Sequence, residues 1–370
     1  MHQKVERGKT LLVDGPASVL VVSGKVEVLG FPIKGTRKIV IREGKRLPFF
    51  VAEAASFDIS LGENASIKEV DGNTIPQSWV KSLEFLADFQ KKPVIAMVMG
   101  KADSGKTSFC TNLINKLVSA KQKVAILDGD LGQSDIGPPC TVAYALTTTP
   151  CMELYELEAE NAFFVGVTSP SKAPSKTIKG LALMKAEILD RTVDFVVVNT
   201  DGWVEGEKAV KYKSQLAETL EPDVVLCIQQ KDELKPLLAA LTNFRKIVIN
   251  SSSVAKQRSR EKRKKLREMS YAKYLTDAKV KSLPLDQLTI EEDIALPIKQ
   301  DEEGGLLLGL YDSQKKILGI SILREVDYVR KTLTVLTSVS AKPSIIALGK
   351  VRLDENLREV PTFRVENDAA

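Results

Sequence analysis

The chain has 370 residues, 44% of them hydrophobic and 27% charged, with a net charge of +5. That length exceeds one ordinary core and asks for two or three domains, and the composition is globular rather than disordered or fibrous. No apolar run reaches the ~18 residues of a membrane helix, and the start MHQKVERGKT lacks a signal peptide's apolar stretch, so a soluble, cytoplasmic protein with no membrane role is expected.

In chain order, residues 1–77 read as a small β-domain. Short β-branched runs are broken by Asp14-Gly15-Pro16, Gly24 and Gly30-Phe31-Pro32, the texture of a sandwich or barrel. The segment Ser78–Gln90 carries Trp79, Val80, Leu83, Leu86 and Phe89 at helical spacing. Continuous apolar strands follow at Pro93–Gly100, Lys123–Asp130, Asp194–Asp201, Asp223–Ile228 and Lys246–Asn250. Helical segments separate most of them, which predicts an α/β, doubly wound, mostly parallel sheet over residues 78–294. From 295 to 370 the texture returns to strands and turns, so a second small β-domain is expected.

The single histidine, His2, lies at a terminus expected to be mobile, so histidine-based triads and histidine-ligated metals are excluded. Cys110, Cys140, Cys151 and Cys227 form no CxxC pair and read as buried reduced thiols. Catalysis must therefore use carboxylates, Lys, Arg, hydroxyls, backbone amides or a borrowed metal.

Gly100-Lys101-Ala102-Asp103-Ser104-Gly105-Lys106-Thr107 matches GxxxxGK[ST] between an apolar strand and a helix. Glycines let backbone N–H groups turn around a phosphate, and the helix N-terminus adds positive partial charge. Gly100, Asp103, Ser104, Gly105, Lys106, Thr107 and Ser108 are the expected nucleotide-binding set, with Lys106 on the β and γ phosphates and Thr107 on Mg²⁺. The next strand ends in Asp128 and Asp130. In a doubly wound sheet that edge faces the ligand crevice, so one acid can hold Mg²⁺ and the other can accept a proton. No guanine-reading NKxD motif follows, which leaves ATP as the default nucleotide.

Asn199-Thr200-Asp201-Gly202-Trp203 ends another buried strand. Its indole either stacks on a nucleobase or packs beneath a loop. The hydroxyl-rich loop Thr168–Lys176 reads as a phosphate-binding loop or an ordinary surface loop. Lys256–Arg267 holds eight basic residues and one acid. Within a helix expected over Val254–Leu275, it reads as a lid over a triphosphate, a nucleic-acid patch or a solvated face.

Together these pieces resemble the RNA 5′-hydroxyl kinase family. That family includes the kinase subunit of the eukaryotic pre-mRNA cleavage complex, the pre-ribosomal-RNA processing kinase and archaeal polynucleotide kinases. The likeness rests on GKADSGKT, Asp128-Gly129-Asp130-Leu131-Gly132-Gln133, Thr168-Ser169-Pro170, Thr200-Asp201-Gly202-Trp203 and the paired arginines of Arg258–Arg263, in the family's order. It implies a P-loop kinase domain flanked by two β-domains, using ATP and Mg²⁺ to phosphorylate RNA 5′-hydroxyl ends, with DNA ends left open. It implies Asp130 as general base, Arg258 and Arg263 as lid arginines, Trp203 as the base-stacking residue, and Gln133, Thr168 and Ser169 as holders of the RNA end. Asp128 joins Thr107 and Asp130 as a candidate metal ligand, and the N-terminal domain would help hold the adenine. No obligate protein partner is evident, which fits a compact, free-standing enzyme.

Three other readings stay open at this point, one of them a small-molecule nucleoside kinase, which explains the phosphate loop but not the long basic segment or the two β-domains. Lys101 lies five before Lys106, the spacing of a dimeric switch ATPase that reaches across to a partner's nucleotide. An RNA-processing subunit could also bind ATP without turning it over.

Overall fold

The computed structural model describes residues 1–34, 38–291 and 304–360. It contains three seven-stranded sheets arranged along the chain.

The first sheet is antiparallel. It comprises β1 (His2–Val5), β2 (Lys9–Asp14), β3 (Ala17–Val28), β4 (Phe31–Ile33), β5 (Lys38–Ile41), β6 (Arg46–Leu61) and β7 (Ser66–Asp71). The long strands β3 and β6 alternate buried and exposed residues, so Val19, Val21, Phe49, Val51 and Phe57 fill one core while polar neighbours face out. His2 is not at a loose end: it sits in β1, with its Nδ1 2.9 Å from Asp58.

Helix α1 (Gln77–Ala87) leads into the central sheet. That sheet is built from β8 (Val94–Gly100), β9 (Val124–Gly129), β10 (Thr141–Thr147), β11 (Asn161–Phe164), β12 (Phe195–Thr200), β13 (Val224–Gln229) and β14 (Lys246–Asn250), in the order β11-β10-β9-β12-β8-β13-β14. Five strands run parallel, and β10 and β11 add an antiparallel edge. Helices α2 (Lys106–Ser119), α3 (Pro174–Leu189), α4 (Glu207–Leu220) and α5 (Lys235–Ala240) cover its two faces. One face shares a continuous core with α1, α2 and the first sheet; the other packs on α3, α4 and α5. Burial on both faces explains the unbroken apolar strands.

Helix α6 spans Arg260–Tyr274, shorter than the expected Val254–Leu275. Ser259 starts it: its hydroxyl accepts the Lys262 N–H at 3.1 Å, a side-chain N-cap. The segment before it is pinned by other contacts. Arg46 donates to the Val254 carbonyl at 3.0 Å, and the Arg258 N–H donates to Asp103 at 2.9 Å.

The third sheet contains β15 (Lys279–Pro284), β16 (Thr289–Glu291), β17 (Leu306–Tyr311), β18 (Ile317–Asp327), β19 (Thr332–Thr337), β20 (Ile345–Leu353) and β21 (Glu359–Val360). The expected domain boundary at 294/295 lies outside the described residues. Strand β15 already belongs to the third sheet, through its antiparallel pairing with β19. This sheet packs on β11 and α6, where Phe164, Tyr271 and Leu275 share a core with Leu307, Ile320 and Ile322. No helix among the described residues is long and apolar enough to cross a membrane. The four cysteines are buried and free.

Candidate active site

The carboxyl ends of β8, β9 and β12 open into a cleft of about 510 Å³. Strand β8 ends at Gly100, where a Cβ would sit 2.6 Å from the Ser104 Oγ, so the loop folds back tightly on its own strand. Gly105 takes φ +97°, a left-handed turn that glycine adopts without strain. It is the N-cap of α2 and offers no side-chain cap. The first N–H groups of the helix therefore lack carbonyl partners and suit an anion.

Lys106 is 6% exposed, and its ammonium donates to the Lys101 carbonyl at 2.9 Å. Burial lowers its pKa, while the charges of Asp130 and Asp201 oppose that shift. Across the cleft, Asp130 Oδ1 accepts the N–H groups of Gly132 and Gln133, both at 3.1 Å. Burial raises the Asp130 pKa, and Lys106 pulls the other way. A carboxylate pushed toward proton affinity beside a cation is equipped to accept a proton.

Among the expected site residues, Asp103, Gly105, Lys106, Thr107, Ser108, Asp130, Gln133, Thr168, Ser169, Trp203, Arg258 and Arg263 all line this cleft. Gly100, Ser104 and Asp128 do not. Asp128 is fully buried beneath it. Its carboxylate accepts the N–H groups of Asp130 and Asp135, at 3.2 and 2.9 Å, and the Asn199 amide at 3.0 Å. Burial, reinforced by Asp135 and Asp130, pushes its pKa up to about 7. It braces the β9 loop, and Asp130 is the acid of the two that borders the cleft.

Asp103 lines the cleft, but its carboxylate is occupied. It accepts Arg258 Nη1 at 3.1 Å and Arg263 Nη1 at 2.9 Å. Both arginines are thus tied to the loop after β8. Gln133 reinforces the tie by donating to the Arg263 carbonyl at 3.1 Å. Helix α6 is a buttressed element rather than a free flap. Lys262 pairs with Glu43, and Leu266 packs so tightly on Gly44 that a Cβ there would lie 2.7 Å from it. At its other end, Arg267 makes a two-pronged pair with Glu359 at 2.6 and 2.8 Å.

Trp203 is half-buried rather than free. Its ring stacks on Tyr212, centroids 5.4 Å apart, while one side borders the cleft. Ser169 caps a single 3-10 turn, and its hydroxyl lies 2.8 Å from that of Ser171. The Lys101 ammonium pairs with Glu205 at 2.7 Å within the same chain and does not border the cleft.

Several cleft residues escaped the sequence reading. Lys45, Arg46 and Leu47 enter from the first sheet. They follow the Gly44 turn, the only local signal. Lys45 binds Asp135 at 2.7 Å, and Arg46 makes a two-pronged pair with Asp14, both distances 2.8 Å. Arg260 and Arg267 add charge from α6, and Asp201 lies beside Trp203. Among the described residues no group of three His, Cys, Asp or Glu side chains forms a metal cage.

A family model described as mRNA cleavage and polyadenylation factor CLP1 P-loop matches residues 100–277. A polyribonucleotide 5′-hydroxyl-kinase of Methanocaldococcus jannaschii is 27% identical over 342 residues, covering 77% of this chain and 94% of that protein. One of Pyrococcus furiosus is 28% identical over 323 residues, covering 73% and 90%. The solved structure of wild-type Clp1p with Pcf11p aligns with a TM-score of 0.73 at 14% identity, over 95% of this chain and 97% of that one. That likeness extends the shared fold to both flanking β-domains. Residues 100–277 of the chain are thus similar to the CLP1 P-loop family, within a fold shared over nearly the whole chain.

Proposed function

We propose that this protein transfers the γ-phosphoryl group of ATP to the 5′-hydroxyl of RNA. The carrying observation is that the phosphate loop, Asp130, Arg258, Arg263 and Trp203 border the same cavity. The names of the archaeal relatives point the same way.

In this reading Lys106 and the α2 N-terminus hold the β and γ phosphates. Asp130 accepts the proton of the attacking hydroxyl. The 5′ oxygen bonds to the γ phosphorus as that phosphorus parts from its bridging oxygen, and ADP leaves with the electron pair. Arg258 and Arg263 neutralise charge on the transferring oxygens, which is the main task in phosphoryl transfer. Trp203 stacks on the terminal base, and Gln133, Thr168 and Ser169 hold the adjoining backbone.

The donor set fits Mg²⁺. That ion keeps several waters and takes only one or two protein oxygens alongside phosphates. The Thr107 hydroxyl is the cleft oxygen that suits it directly, with retained waters in its other positions, which leaves the Asp130 carboxylate for the proton. When bound it supplies charge neutralisation at the phosphate oxygens.

All these groups belong to one chain, so the isolated protein should be active without a protein partner. The test offers γ-labelled ATP with a 5′-hydroxyl oligoribonucleotide, the matching oligodeoxyribonucleotide and a free nucleoside. Label on the RNA, with little on the nucleoside, is expected. Label on the nucleoside alone would move the protein to a small-molecule kinase.

A further inference from the structure

Lys213 lies on α4 and is completely buried. Its Nζ donates to the Asp201 carboxylate at 2.8 Å and to the Asp201 carbonyl at 2.9 Å. A buried ion pair is often no more stabilising than apolar side chains of similar volume. The position is one where leucine would serve packing, since Ala209, Leu216 and Leu220 flank it on the same buried face. What the pair does is visible at Asp201. One carboxylate oxygen accepts the Trp203 N–H at 2.8 Å; the other is shared by Lys213 and the Tyr212 hydroxyl, the latter at 3.1 Å. Tyr212 in turn carries the Trp203 ring on its own. The loop has no slack on its other side, where a Cβ on Gly202 would lie 2.6 Å from the Ala102 nitrogen.

We infer that Lys213 and Asp201 are positioning residues for the acceptor strand: they fix the Trp203 backbone and ring against Tyr212, so that the terminal base of a polynucleotide meets a pre-set stacking face. This rests on the kinase reading and adds the parts that set its strand site. A face already ordered spares the binding step the cost of ordering it.

The test uses the full chain, ATP and a 5′-hydroxyl oligoribonucleotide. The variant Lys213→Met/Asp201→Asn removes both charges, keeps the stem's volume and leaves an acceptor for the Trp203 N–H. Its KM for the strand should rise about tenfold, a large part of one base-stacking interaction. Its kcat at saturating strand and its KM for ATP should stay within about twofold, the signature of lost uniform binding. In a Trp203→Phe background the same pair of changes should add less than about twofold, because both act through one indole. Tyr212→Phe, which keeps the ring under Trp203 and removes only one hydrogen bond to Asp201, is the milder variant and carries the measurement, with a smaller rise in strand KM, if the pair variant does not fold. A lowered melting temperature with an unchanged strand KM overturns the inference, as does an equal loss in ATP binding. Wild type that labels no polynucleotide overturns the kinase reading as well; wild type that labels RNA beside indifferent variants overturns only the positioning role.

Discussion

Asp103 of the phosphate loop is ion-paired with Arg263 of α6 at 2.9 Å, and Arg258 meets the same carboxylate at 3.1 Å. In the proposed reaction, the loop that would hold phosphate therefore also aims the guanidinium groups that would neutralise it. Asp103→Asn should lower kcat about tenfold or more, because misplacing a catalytic group by an ångström costs that much. The KM for ATP should not rise, since a negative charge beside the triphosphate is removed. An unchanged kcat would show that the arginines need no anchor.

Arg258→Lys and Arg263→Lys keep the charge and lose the planar fork. Each should reduce kcat about 100-fold or more, by analogy with arginines that act on a transferring phosphoryl group. Steady-state kinetics with saturating RNA measures this. Near-wild-type rates in both lysine variants would mean that charge alone suffices.

Asp128 and Asp130 are two residues apart and should fail differently. Asp130 faces the cleft, whereas Asp128 braces the β9 loop with three accepted hydrogen bonds. Asp128→Ala leaves those N–H donors without a partner, at a cost of about 1–3 kcal/mol each where no water replaces it. Thermal unfolding should show a clear drop for Asp128→Ala and little change for Asp130→Asn. The reverse pattern would exchange their roles.

The Asp14 carboxyl illustrates the acid limit of the first domain. Burial pushes its pKa up, but Arg46, Lys256 and Ser66 outweigh burial and leave it below its ordinary value. A carboxylate lowered in the fold contributes stability above its unfolded pKa of about 3.8 and loses it as the pH falls below that. Asp14→Asn should melt below wild type at pH 7, and the gap should narrow below about pH 4. Melting curves of both proteins across pH 3 to 7 test this; a gap that widens in acid would contradict it.

What the sequence made legible followed from local physics. The phosphate loop is a contiguous string between an apolar strand and a helix, so its position needed no tertiary information. Strands β8, β9, β12 and β13 announced themselves because burial on both faces demands unbroken apolar runs, while the edge strand β14, with Val248 exposed, was legible from its β-branched run alone. Strand β10 went unread although TVAYALT is equally apolar, because it follows the Asp128–Gln133 motif without a separating helix. Strand β15 was hidden by its lysines, one of which, Lys281, reaches the Val339 carbonyl. The burial of Asp128 and the grip of Asp103 on two arginines 155 and 160 residues away were invisible for the same reason: both are made by chain closure. Lys213 did leave a trace. It falls at the i+4 position from Ala209, on a face otherwise apolar through Leu216 and Leu220, where a lysine needs a buried partner.

The most direct measurement follows labelled γ-phosphate from ATP to a 5′-hydroxyl oligoribonucleotide with wild type and Asp130→Asn side by side. Label on the RNA with wild type, and a loss of about 100-fold or more in the variant at unchanged melting temperature, is the expected result. No transfer by wild type, or full transfer by Asp130→Asn, would contradict the proposed chemistry.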